Sequence, residues 1–89
     1  MEALDPEPRL LANRRGVAFA LAHANSTVQY VITLTTLRTH FWLDPRASDT
    51  QVLKTFRDGY GRIRAIAERK LLAQPAAKLE LTPDDFARP

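Results

Sequence analysis

Cysteine is absent from the 89 residues. That excludes disulfides, thiolate metal ligands and cysteine nucleophiles, and leaves the fold indifferent to redox compartment. Long apolar runs are missing as well: nothing approaches the ~18 residues of a membrane-spanning helix. The N-terminus, MEALDPEP, is acidic where a secretory signal would place positive charge before an apolar core. A cytoplasmic protein that stays off membranes is the expectation. Glycine is scarce, three in all, and two of them, Gly59 and Gly61, lie in the stretch RDGYGRIRAIAERK. A dinucleotide-binding loop would need a further glycine or alanine where Arg64 stands, and a strand directly before it. Neither is present, and no cofactor is expected.

Catalytic and metal-binding residues are equally thin. His23 and His40 have no cysteine and no pair of acids at ligand spacing beside them, so no metal is expected. His40 falls off the apolar stripe of its helix and reads as a surface side chain. Ser26 and Ser48 lie in turn and cap sequences without the strand-to-helix elbow that exposes a nucleophile. The acidic pair Asp84-Asp85 suits the positive end of a helix. A non-enzymatic protein is therefore expected.

What is present in quantity is positive charge in the middle of the chain. Residues 9–79 hold twelve arginines or lysines against Asp44, Asp49, Asp58 and Glu68, whereas both ends are acidic. Such a balance favours a polyanionic partner for the centre. Residues 1–9, with two prolines and three acids, bury too little to order themselves and read as a loose acidic tail. Residues 10–89 suit one small domain.

Within that domain the hydrophobic period changes along the chain. Val17, Phe19 and Leu21 alternate with alanines as in a half-buried strand. After a polar turn over residues 23–27, Val28, Tyr30 and Ile32 alternate again, and the two segments make a hairpin. From Leu34 the spacing becomes that of a helix, with Leu34, Leu37 and Phe41 on one face, threonines to cap it and an end near Leu43 before Asp44-Pro45. Ser48 and Gln51 spell a capping box, opening one long helix to about Ala73. Its apolar arc includes Val52, Phe56, Gly59, Ile63, Ala67 and Leu71. Lys78 to Leu81 reads as a third strand, and Thr82-Pro83-Asp84-Asp85 as the start of a helical turn. The fold class is α+β: a small antiparallel β-sheet, made of an N-terminal hairpin and a C-terminal strand, packed on one face by a short helix and one long helix.

Two surfaces carry what functional signal there is. Trp42 stands at the margin of the short helix's stripe and is expected to close the core edge; left exposed, it would anchor a protein partner or a second copy of the chain. On the long helix, Lys54, Asp58, Arg62, Arg64 and Glu68 are spaced for local ion pairs. Arg57 and Arg69 lack such partners. Together with Arg14, Arg15 and Arg38 they form a candidate patch for nucleic acid or another polyanion.

The order of G-V-A-F at residues 16–19, V-Q-Y-V-I-T-L-T-T-L-R-T-H-F at 28–41, I-A-E-R-K at 66–70 and L-E-L-T-P-D-D-F at 79–86 resembles a small bacterial family, domain of unknown function 1488. The resemblance implies an α+β fold with helices on one face of a small sheet and assigns no activity. The expected function is a protein-interaction domain, with an unknown protein partner or a homodimer; weak nucleic-acid or polyanion binding through the arginines is the alternative.

Overall fold

The structure, a computed structural model, describes residues 8–11, 15–23 and 25–87. The expected acidic tail and Arg14 lie outside the described residues, apart from Pro8 and Arg9. Four strands form one sheet in the order β1 (Arg9–Leu10), β2 (Gly16–His23), β3 (Ser26–Thr33) and β4 (Lys78–Leu81). The helices are α1 (Leu34–His40), α2 (Asp49–Asp58), α3 (Tyr60–Ala73) and α4 (Pro83–Ala87). The α+β class read from the sequence is the class observed.

The hairpin is longer than its hydrophobic alternation suggested. β2 and β3 pair antiparallel from Gly16↔Thr33 out to His23↔Ser26, so most of the predicted polar turn is strand. This register puts Val17, Phe19 and Leu21 on the same face as Val28, Tyr30 and Ile32, all of them buried. Tyr30 stacks on Phe19 with ring centroids 5.2 Å apart, and Phe56 of α2 closes on Phe19 at 5.0 Å. Burial, with the charge of Glu68 as a lesser cause, pushes the Tyr30 phenol above its ordinary range.

Two expectations need correction. The sheet is mixed: β4 runs parallel to β3, with Tyr30 opposite Leu79 and Ile32 opposite Leu81. A parallel pair needs a long crossover, and the three helices between residues 34 and 73 supply it. The long helix is also two helices, broken at Gly59 (φ −98°, ψ 11°). A methyl group at Gly59 would lie 2.6 Å from Cδ2 of the Phe41 ring. The bare backbone thus admits a side chain of the α1 terminus. The apolar arc continues across the break through Val52, Phe56, Ile63, Ala67 and Leu71, all buried.

Caps follow the local code. Ser48 accepts from the Gln51 amide at 3.2 Å while Gln51 accepts from the Ser48 amide at 3.3 Å. Thr33 accepts from the Thr36 amide at 3.1 Å, and the wholly buried Thr36 hydroxyl donates to the Leu81 carbonyl, joining α1 to β4. Gly61 has nothing within 4 Å of where a side chain would begin. Gly61→Ala is expected to raise stability by about 0.5 kcal/mol through helix propensity alone, read from the urea midpoint.

Candidate functional site

The end of α1 determines what happens to Trp42. The Phe41 amide donates to the Leu37 carbonyl at 2.9 Å, and two residues later the Leu43 amide donates to the same carbonyl at 3.2 Å. To fold back so sharply the chain passes through the left-handed region at Trp42, φ 56°. Phe41 and Leu43 turn inward as a result, and Trp42 turns out. It is 90% exposed. The expectation that it closes the core edge is therefore corrected: it assumed helical spacing as far as Leu43, and α1 stops at His40.

The residue before Trp42, Phe41, belongs to an aromatic cluster. Phe41 meets Phe86 edge to face at 5.6 Å, and the Arg62 guanidinium sits over both rings, at 5.3 and 5.7 Å. His40 stacks on Phe86 at 5.7 Å, and its Nε2–H donates to the Pro83 carbonyl at 3.0 Å. His40 is therefore a half-buried strut between α1 and α4, where the stripe placed it on the surface. Arg62 was missed because sequence spacing pairs it with Asp58, and the break at Gly59 lies between them.

The left-handed region favours glycine or asparagine, and an aromatic side chain there costs on the order of 1 kcal/mol. Trp42→Gly is accordingly expected to stabilise the isolated protein by about 1 kcal/mol, a rise in Tm of several degrees. A lower Tm would mean that Trp42 packs on the fold after all.

The candidate arginines occupy separate elements. Arg15 pairs with Glu80 of β4 at 2.7 Å, so its charge is engaged. Arg38 is exposed on α1 and Arg57 on α2. Arg69 of α3 lines an open hollow of about 450 Å³ with Ile66, Ala73, Asp84 and Asp85. Lys54–Asp58 and Arg64–Glu68 form the expected local pairs, at 3.0 and 3.4 Å.

Asp85 anchors the wall of that hollow. Its carboxylate accepts from the Thr82 amide at 2.8 Å and from the Lys70 ammonium at 2.9 Å. Burial pushes its pKa up, but the hydrogen bonds from Thr82 and Lys70, with the lysine's charge, more than offset this and hold it below its ordinary value. A carboxylate so lowered contributes stability above its unfolded pKa, about 3.9, and loses it as pH falls through the folded value. The stability gap between wild type and Asp85→Asn should therefore be full at neutral pH and shrink in acid below about pH 4, as followed by urea unfolding across pH.

Among the described residues no helix is long and apolar enough to cross a membrane, and no group of three or more potential ligands stands ready for a metal ion. A family model described as "Protein of unknown function (DUF1488)" matches residues 5–81. The chain belongs to that family. No curated protein and no solved structure matches it.

Proposed function

We propose that the protein is a non-enzymatic cytoplasmic interaction domain whose anchor is Trp42. The observation that carries this is the coincidence of near-complete exposure with a backbone conformation that tryptophan disfavours. An exposed aromatic held at energetic cost gives the isolated fold nothing and gives a partner a large, rigid contact. Its chain neighbour Phe41 is packed against Phe86 and under Arg62, so the turn that presents Trp42 is anchored. The test is a photo-crosslinking amino acid at position 42 and, as a control, at the exposed Leu72, in cells that make the protein. A discrete adduct from position 42 and none from 72 is expected. No adduct from 42, or equal smears from both, would sink the reading.

Polyanion binding is the second reading, and exposed Trp42 also favours it, because bases stack on such a ring and the exposed Arg38 stands four positions before it in the chain. Titration with short oligonucleotides at two salt concentrations decides. Binding that collapses with salt and is lost in Trp42→Ala supports this reading; no binding at low salt removes it.

A further inference from the structure

β1 covers only part of the edge of β2. Arg9 stands opposite Ala18 and Leu10 opposite Val17, and the Leu11 amide donates to the Gly16 carbonyl at 2.9 Å. Ladder bonds alternate along a strand, and the bond from the Leu34 amide to the Arg15 carbonyl shows that the odd-numbered residues of β2 face β3. The even-numbered ones therefore turn their N–H and C=O groups toward the β1 side. β1 and Leu11 reach those of Gly16 and Ala18. Those of Ala20 and Ala22 meet no strand among the described residues, although Ala20 is only 6% exposed. Buried backbone groups without partners are costly, so this edge calls for an occupant.

The chain itself carries one that fits. Asp5-Pro6-Glu7-Pro8 precedes β1, and the register of β1 carried backward sets Glu7 opposite Ala20 and Asp5 opposite Ala22. Both acids stand before prolines, which biases them toward the extended backbone of a strand. Parity agrees: Leu11 and Arg9 bond toward β2, so positions 7 and 5 do as well, and the prolines, having no N–H, fall where an N–H would point away. Charge agrees too. The sheet face opposite the helices holds a hollow of about 400 Å³, floored by Ala18, Ala20 and Val31 and flanked by Arg9 and Lys78. Neither cation has an ion-pair partner among the described residues. A glutamate opposite Ala20 has its side chain on that face, beside Arg9 and in the row Ala20, Gln29, Lys78.

We propose that residues 5–8 extend β1 along the open edge of β2 and place the Glu7 carboxylate in the hollow between Arg9 and Lys78. The acidic segment is then the guard of this edge. It fills the ladder positions of Ala20 and Ala22, and its prolines leave the new edge short of the N–H groups that another chain's strand would need. A composition too polar to order itself gains from the sheet the partners it lacks.

Amide hydrogen exchange on the full chain tests this, for wild type, Glu7→Pro and Glu7→Lys. In the wild type the amides of Glu7, Ala20 and Ala22 should exchange at least ~tenfold slower than in an unfolded chain. Glu7→Pro removes the amide that bonds the Ala20 carbonyl, and should speed exchange at Ala20 and Ala22 ~tenfold or more. The Tyr30 amide, bonded across the hairpin to Phe19, should stay protected and show that the fold is intact. Glu7→Lys keeps the amide and reverses the charge, so Ala20 should exchange a few-fold faster, most visibly at low salt. Exchange at unfolded rates at Glu7, Ala20 and Ala22 in the wild type overturns the proposal and leaves the edge open to another chain. Protection of Ala20 that survives Glu7→Pro overturns it as well, and protection indifferent to Glu7→Lys overturns the placement of the carboxylate. Should Glu7→Pro also lose protection at Tyr30, Glu7→Lys decides.

Discussion

Replacing Gly16 by alanine is expected to destabilise the protein by about 2–3 kcal/mol, lowering Tm by about 10 °C or more. Gly16 is buried at the start of β2, opposite Thr33. A methyl group there would stand 2.9 Å from the carbonyl carbon of Ile32 and 3.0 Å from Cα of Thr33. These are backbone atoms and cannot rotate aside. The segment carrying them pairs with β2 on one side and β4 on the other, and directly after it the Leu34 amide donates to the Arg15 carbonyl at 3.1 Å. The methyl group can be admitted only by opening the end of the hairpin from which α1 starts. Thermal melts check this, and a variant melting with the wild type would contradict the pairing of Gly16 with Thr33.

Gly59→Leu is expected to cost about 3 kcal/mol, at the upper end of overpacking, and Gly59→Ala about half as much. The obstacle is a ring. Phe41 is held against Phe86 and beneath Arg62, so turning it away from a side chain at position 59 would dismantle that cluster. Propensity pulls the other way, since alanine is the better helix former by about 1 kcal/mol. The direction of Gly59→Ala thus decides which effect wins. Combining it with Phe41→Ala should remove most of its cost, a coupling that urea titrations of the four proteins would measure. If Gly59→Ala alone stabilised, the ring would not be where it is described.

Gly59 also marks where sequence reading stops. What a few neighbouring residues decide was legible: the alternation of β2 and β3, the Ser48–Gln51 capping box, the Thr82–Asp85 start of α4 and the two helix-face ion pairs. What depended on distant partners was not. The apolar arc runs unbroken through residues 52–71, so periodicity alone makes α2 and α3 one helix; only the Phe41 ring, eighteen positions away, shows why they part. The direction of β4 is likewise invisible in K-L-E-L, because alternation is the same whichever way a strand runs, and the crossover settles it. Trp42 was singled out but placed at the core edge, since its burial turned on where α1 ended. No sequence signal marked that reversal, tryptophan being a residue that left-handed positions disfavour. The hollow was not legible at all, because its walls come from helices whose juxtaposition is a tertiary fact.

The parallel pairing of β3 and β4 has a consequence for the order in which the chain takes shape. Tyr30 waits for Leu79, forty-nine positions further on, while its partner across the hairpin, Phe19, is only eleven positions back. A growing chain can therefore zip β2 to β3 early, in microseconds once both are available. The far edge of β3 must stay open until residues 78–81 have been synthesised and released. During that interval the newborn protein offers an unpaired strand edge, which invites pairing with other chains. β4 is thus the latch that ends this exposure, and synthesis must run almost to Thr82 before it can close.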